Sequence, residues 1–292
     1  QRTRSILSIG PRRPAPDRVP IGTAERVGQG RQCLHDRVRD EIGWRPGVGQ
    51  RVCRRIRERT PHMNVRVVAI IPALDEEGAI GDTVARLDRR LVHDIIVVDN
   101  GSRDRTAERA ARAGARVISE PRRGYGSACL AGVLAAGTAD TLVFLDGDGS
   151  DVPEDLPRVL GPIQRGAADL VLGSRTLGQR EPGALSIHQM WGNRAVLGLL
   201  SLLTGVRLTD LGPFRAIRSE AMVRLDMCHP TYGWPIEMVV KAVRRGLRIV
   251  EVPVDTRRRI GRSKVAGTLR GSLLAGYHLI ATVFRYAWER NR

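Results

Sequence analysis

Two carboxylates stand two residues apart at Asp146-Gly147-Asp148, directly after the apolar run TLVFL. In an extended segment, residues i and i+2 face the same side. At a strand end such a pair can converge on one divalent cation of the oxygen-liking kind, Mg²⁺ or Mn²⁺. A cation held there acts as a Lewis acid toward a leaving diphosphate. Taken alone, an Asp-Gly-Asp triplet reads more readily as a solvated turn. Its place after a buried strand, and three companion segments, favour the chemical reading. The companions are IPALDEE (residues 71–77), VVDNGSRDRT (97–106) and PRRGYGSA (121–128).

The elements that must position these segments follow from hydrophobic pattern. VRVVAIIPA, DIIVVD, ARVIS, TLVFL and ADLVLGS are short apolar runs of the kind expected for buried parallel strands. Between them lie helical stretches at 80–91, 106–113, 127–136 and 153–164, the second closed by Gly114. Strands alternating with helices predict an α/β fold, a mostly parallel sheet covered by helices on both faces. Ligands of such sheets bind at the carboxyl ends of the strands. Asp75, Asp99, Asp146, Asp148 and Arg175 all fall there. The second half reads as more helical, with helices at 189–204, 234–245 and 268–290 and one strand in LRIVEVPV.

Composition narrows the classes. The 292 residues carry 48 basic and 31 acidic side chains, a net charge of +17. Residues 1–62 contribute 15 Arg against six acidic residues, and only Lys241 and Lys264 are lysines. A basic chain favours anionic partners, but aromatic content of 4% is too low for stacking platforms that grip single-stranded nucleic acid, so no nucleic-acid partner is expected. The four cysteines form no C-x-x-C pair, which fits reduced thiols in the cytoplasm. The Arg-, Gly- and Pro-rich segment 1–62 is expected to be an extension outside a catalytic domain that begins at Met63, or else a basic arm.

The four segments resemble, in order and spacing, the family-two glycosyltransferases of the GT-A fold, in particular the dolichol- or polyprenyl-phosphate mannosyltransferase-like group. The likeness spans about Val65 to Lys264. It implies a metal-dependent, inverting transfer of a hexose from a nucleotide-diphosphate sugar such as GDP-mannose or UDP-glucose. Carried over, it assigns Pro72, Ala73, Asp75, Glu77, Asp99, Gly101, Ser102, Gly124, Gly147 and Arg175 to the nucleotide sugar, and Asp146 and Asp148 to Mg²⁺ or Mn²⁺. Gly124 is expected to let the backbone approach the ligand. The sequence departs from the family at Asp75, where Asn is usual, at Asn100, where Asp is usual, and at Ser150, where Gln is frequent; Asp151 is the nearest substitute.

The resemblance continues in GSR (173–175), in the run around Arg215 and in RIGRSK (259–264), segments that grip phosphates in the lipid-phosphate branch. It assigns Arg215, Arg259, Ser263 and Lys264 to the acceptor or diphosphate, with Lys264 on a closing loop; the count of cations in the second half adds Arg194 and Arg258. Glu237, at a helix start, reads equally as a general base or as an acid favoured by the helix dipole. A hydroxyl acceptor needs such a base, whereas a phosphate arrives ionised and needs cations. Many arginines and few bases favour a polyprenyl phosphate over a soluble or protein hydroxyl; nucleotidyl transfer is the other same-fold alternative. With no stretch long enough to span a membrane, contact with its inner face falls to residues 273–288 as a surface-lying helix, or that helix packs on the core.

Overall fold

A computed structural model describes residues 65–261. The segment 1–62, the Ser263–Lys264 pair and the 268–290 helix lie outside the described residues. The elements run β1 (Val67–Ala73), α1 (Ile80–Ala85), β2 (Asp94–Asp99), α2 (Thr106–Arg112), β3 (Arg116–Ser119), α3 (Tyr125–Ala136), β4 (Thr141–Phe144), a 3₁₀ turn (Pro153–Asp155) and α4 (Leu156–Gln164). They continue through β5 (Leu170–Ser174), α5 (Ile187–Thr204), β6 (Arg215–Arg218), α6 (Ser219–Leu225), α7 (Trp234–Arg244) and β7 (Ile249–Pro253).

Seven strands form one sheet in the order β3-β2-β1-β4-β6-β5-β7. Alternate residues of each strand feed opposite faces, as the pleat requires. Val68, Ile70, Ile96 and Val98 enter a core with residues of α3, α5, α6 and α7. Val67, Ala69, Ile71, Ile95 and Val97 enter a second core with α1, α2 and α4. Burial on both faces explains why the strands read as continuous apolar runs rather than as alternating ones.

One element departs from expectation. The run around Arg215 was expected as a phosphate-gripping segment; it forms β6, antiparallel to both β4 and β5, with Arg215 opposite Phe144 and Leu172. The reversal brings the beginning of β6, not its end, to the sheet edge where β1, β2 and β4 finish. The 211–214 loop therefore joins the site edge.

Candidate active site

At the carboxyl ends of β1 and β4 lies a cavity of about 580 Å³, floored by Pro72, Ala73, Asp146, Gly147 and Asp148 and walled by Gly124, Arg175, Tyr232 and Arg259. Asp146 follows β4 by two residues and opens into it. The turn beyond is set by its own carboxylates: the Asp146 N–H donates to Asp151 Oδ2 at 2.8 Å, and the Ser150 N–H to Asp148 Oδ1 at 2.9 Å. Gly147 packs tightly; a Cβ there would meet Ile80 Cδ1 at 3.0 Å and Ile71 Cγ2 at 3.3 Å.

Three carboxylates crowded at the end of a buried strand repel one another. Burial first, then the charges of Asp148 and Asp151, hold Asp146 well above the usual carboxylate range. Burial likewise pushes Asp151 up to about 7. Arg259 answers part of this charge, its Nε donating to Asp148 Oδ2 at 2.8 Å and its terminal nitrogen to the same oxygen. Arg175 lies across the cavity and donates to both oxygens of Asp210, at 2.7 and 2.9 Å. Burial works against the Asp210 charge, but these bonds prevail and its pKa is lowered. Asn193 adds a further donor to Asp210 at 2.9 Å.

Among the described residues no cluster of three or more His, Cys, Asp or Glu side chains is arranged to hold a metal. Asp146 and Asp148 nonetheless fit a hard divalent cation: they are oxygen donors lining one cavity, and a cation there would relieve the repulsion between them. They would supply two ligands and leave the other positions to phosphate oxygens, as Mg²⁺-like ions prefer. Asp151, the expected substitute beside the metal, is outside the cavity lining and accepts the Asp146 N–H through Oδ2.

The other expected residues divide by role. Pro72, Ala73, Gly124, Asp146, Gly147, Asp148, Arg175 and Arg259 line the cavity. Asp75, Glu77, Asp99, Gly101 and Ser102 are outside its lining and tie the β1 and β2 turns together. The Asp75 N–H donates to Ser102 Oγ at 2.9 Å, Asp75 Oδ1 accepts from Arg103 N at 2.7 Å, and Asp99 Oδ1 accepts from Ser102 N at 2.9 Å. Glu77 accepts from Arg105 N at 3.2 Å. Asp75 has φ 49°, a left-handed conformation that Asp and Asn tolerate better than most residues.

Two expectations are corrected, and Gly124, which lines the cavity as expected, gains a second reason to be glycine. At φ 140°, its Cβ would stand 2.2 Å from the Pro230 carbonyl oxygen, and one at Gly126 1.9 Å from that of His229. Arg215 does not reach the cavity; its guanidinium is buried and donates to the carbonyls of Gly212, Pro213 and Pro235. Burial lowers its pKa, although Tyr125, Cys129 and Asp146 oppose that shift. Glu237 is sealed inside, accepting from Cys228 N at 3.0 Å and His229 N at 2.7 Å, with Lys241 Nζ at 2.8 Å. A carboxylate so enclosed cannot accept a proton from a substrate in the cavity. Of the remaining arginines, Arg258 donates to Glu181 through its N–H and to the Pro182 carbonyl through Nε, while Arg194 is exposed on α5; neither lines the cavity.

Sequence reasoning missed Asn100, Arg123, Tyr125, Leu211, Pro213, Thr231 and Tyr232 in the lining. Asn100 carried a signal in its departure from the family's Asp. Its Nδ2 donates to the carbonyls of Glu120 and Arg122, both at 2.8 Å, and its Oδ1 accepts from Gly124 N at 2.8 Å. An aspartate could not donate, so Asn at this position clamps the loop that carries Gly124. Arg123 and Tyr125 flank Gly124 within PRRGYGSA, so their segment was legible though their own part was not; Leu211, Pro213, Thr231 and Tyr232 come from loops far along the chain and carried no motif.

The sheet edge thus combines a carboxylate pair, several arginines and a cavity of a size for a small ligand. The family model for glycosyl transferase family 2 matches residues 68–225. An uncharacterised glycosyltransferase of Mycobacterium tuberculosis is 41% identical over 214 residues, covering 72% of this chain and 94% of the relative. The undecaprenyl-phosphate mannosyltransferase of Micrococcus luteus is 34% identical over 229 residues, covering 71% and 90%. Among solved structures, glucosyl-3-phosphoglycerate synthase of Mycobacterium tuberculosis with Mn²⁺ and UDP-glucose has a TM-score of 0.64 at 27% identity, covering 85% of this chain and 86% of that one. The chain belongs to glycosyl transferase family 2 and is a glycosyltransferase of the GT-A fold.

Proposed function

We propose that this glycosyltransferase moves a hexose from a nucleotide-diphosphate sugar to a polyprenyl phosphate, inverting the anomeric centre, with Mg²⁺ or Mn²⁺ held by Asp146 and Asp148. The observation that carries the acceptor class is the wall of the cavity. It presents Arg123, Arg175 and Arg259, while Glu237, the candidate base, is enclosed elsewhere. A phosphate oxygen already ionised attacks the anomeric carbon without a base. The bond from that carbon to the diphosphate breaks, and nucleoside diphosphate leaves. A bound divalent cation would offset the charge gathering on that leaving group. Arg259 and Arg175 orient phosphates, as a planar fork of donors suits.

The relative named for undecaprenyl phosphate supports a lipid acceptor. A second reading, a small soluble phosphorylated acceptor, is favoured by the likeness to glucosyl-3-phosphoglycerate synthase. Among the described residues no helix is long and apolar enough to cross a membrane. Under the lipid reading the chain works at the inner membrane face, and residues 273–288 are the proposed surface contact.

The test is incubation of the full chain with Mn²⁺ or Mg²⁺, GDP-mannose or UDP-glucose, and either a polyprenyl phosphate or 3-phosphoglycerate, read by mass spectrometry. A glycosylated polyprenyl phosphate with nucleoside diphosphate is expected. Product on 3-phosphoglycerate alone would replace the lipid reading with the soluble one.

A further inference from the structure

Asp148 and Arg259 are joined across 111 residues of sequence. Oδ2 of Asp148 takes two donors from Arg259, and Oδ1 takes the Ser150 N–H at 2.9 Å. Both oxygens are therefore engaged, and a cation can use Oδ2 only if the guanidinium leaves.

The backbone on either side of Arg259 is fixed. The Ile260 N–H donates to the Asp148 carbonyl, and the Arg257 N–H to that of Ser150, both at 2.9 Å. Ile260, about half exposed, packs where Gly78 and Gly149 leave room; a Cβ on either would approach its side chain to 3.2 or 3.4 Å. Arg259 itself is about one-third exposed and lines the cavity. With its backbone held and its side chain open to the cavity, it can change partners by rotating about its own bonds, with no loop movement.

We propose that Arg259 is an exchangeable internal counter-cation: it competes with the divalent metal for Asp148 and, once displaced, pairs with the donor diphosphate. The inference rests on the metal reading of Asp146 and Asp148 given above. It follows from charge compensation around a buried carboxylate. Asp148, stripped of its partner, is strongly penalised, and the partly exposed Arg259 guanidinium loses a charge-assisted pair. Metal and diphosphate arriving together let both groups exchange partners without either being left bare. Metal alone leaves the guanidinium to find water, so free-metal binding is weakened by Arg259 and diphosphate binding is strengthened by it.

The experiment measures Mn²⁺ binding to the full chain by loss of the free-ion electron paramagnetic resonance signal, and UDP and GDP binding at saturating Mn²⁺ by calorimetry. Arg259→Gln is expected to bind Mn²⁺ about tenfold more tightly than wild type without nucleotide, the equivalent of one charge-assisted pair. The same variant is expected to bind the nucleoside diphosphate about tenfold more weakly. Arg259→Lys keeps the charge but has no fork; it falls between and carries the test if the Gln variant does not fold. Unchanged or weaker Mn²⁺ binding in Arg259→Gln, with binding abolished in Asp148→Asn, would overturn the exchange and leave the metal site standing. No Mn²⁺ bound by wild type or Arg259→Gln, with or without nucleotide, in cooperatively melting protein would remove the metal reading and the exchange with it.

Discussion

The two halves of the sheet handle charge in opposite ways. In the first half, β1, β2 and β4 run parallel, and the polar residues just past their ends sit at one edge. Asp146 and Asp148 stand there with their charge only partly answered. In the second half, β6 is reversed between β4 and β5, and three charged residues, Arg215, Glu237 and Lys241, are turned inward. Arg215 serves carbonyls beneath the cavity, and Glu237 and Lys241 pair within α7 while holding the 226–229 backbone. Charge only partly answered at the edge is open to a ligand; charge enclosed and paired inside serves architecture.

The sharpest way to break this comparison is at Asp148. Asp148→Ala should lower turnover by about three orders of magnitude, the scale of losing a leaving-group stabiliser, with a circular dichroism spectrum like wild type. Turnover close to wild type would place the site elsewhere.

On the architectural side, Glu237→Gln strands Lys241 in a poorly solvated position and should cost about 3 kcal/mol of stability, measured by urea denaturation. Its kcat per folded molecule should stay within a factor of about three, since the enclosed carboxylate handles no proton. A kcat fall of a hundredfold or more in fully folded protein would restore it as a base.

Gly126→Ala sets two effects against each other. Helix propensity in α3 favours Ala by about 1 kcal/mol. The added Cβ would lie 1.9 Å from the His229 carbonyl oxygen, so one backbone must shift. Overpacking of this kind costs about 1–3 kcal/mol, and since the clash is with main chain, net destabilisation is expected in a thermal melt. A stabilised variant would show that the 229–230 loop is free to move.

The smallest effect tests the half-way case, Asp210, whose pKa is lowered by Arg175 against the pull of burial. A carboxylate with a depressed folded pKa contributes stability above its unfolded value, about 3.9, and loses it as pH falls through the folded one. Asp210→Asn should thus be less stable than wild type at pH 7, by about 1–2 kcal/mol. That gap should narrow below pH 4. A gap independent of pH would mean that the Arg175 pair contributes no net stability.

Legibility follows the same divide. The strands could be read because burial on both faces makes each a continuous apolar run, and Asp146 and Asp148 because parallel strands deliver their ends to one edge. The strand β6 was hidden: RAIR is four residues long and begins and ends with Arg, a pattern that says cation before it says strand. Gly124 was legible as a glycine that makes room, but the 229–230 segment pressed against it was not, because a glycine records that something comes close and not what.

The sequence by itself determined the αβα layering, the edge at which the cavity opens and the carboxylate pair placed there, all set by local pattern and by the direction of parallel strands. Only the tertiary structure decided which charges face a ligand. Arg215, Arg258 and Arg259 are the same residue type in similarly basic runs, yet one is sunk beneath the cavity, one is tied to Glu181 and Pro182, and one rests on Asp148. A side chain's role depends on which partners lie within its reach, and those partners are brought there by folding over separations such as the 111 residues between Asp148 and Arg259.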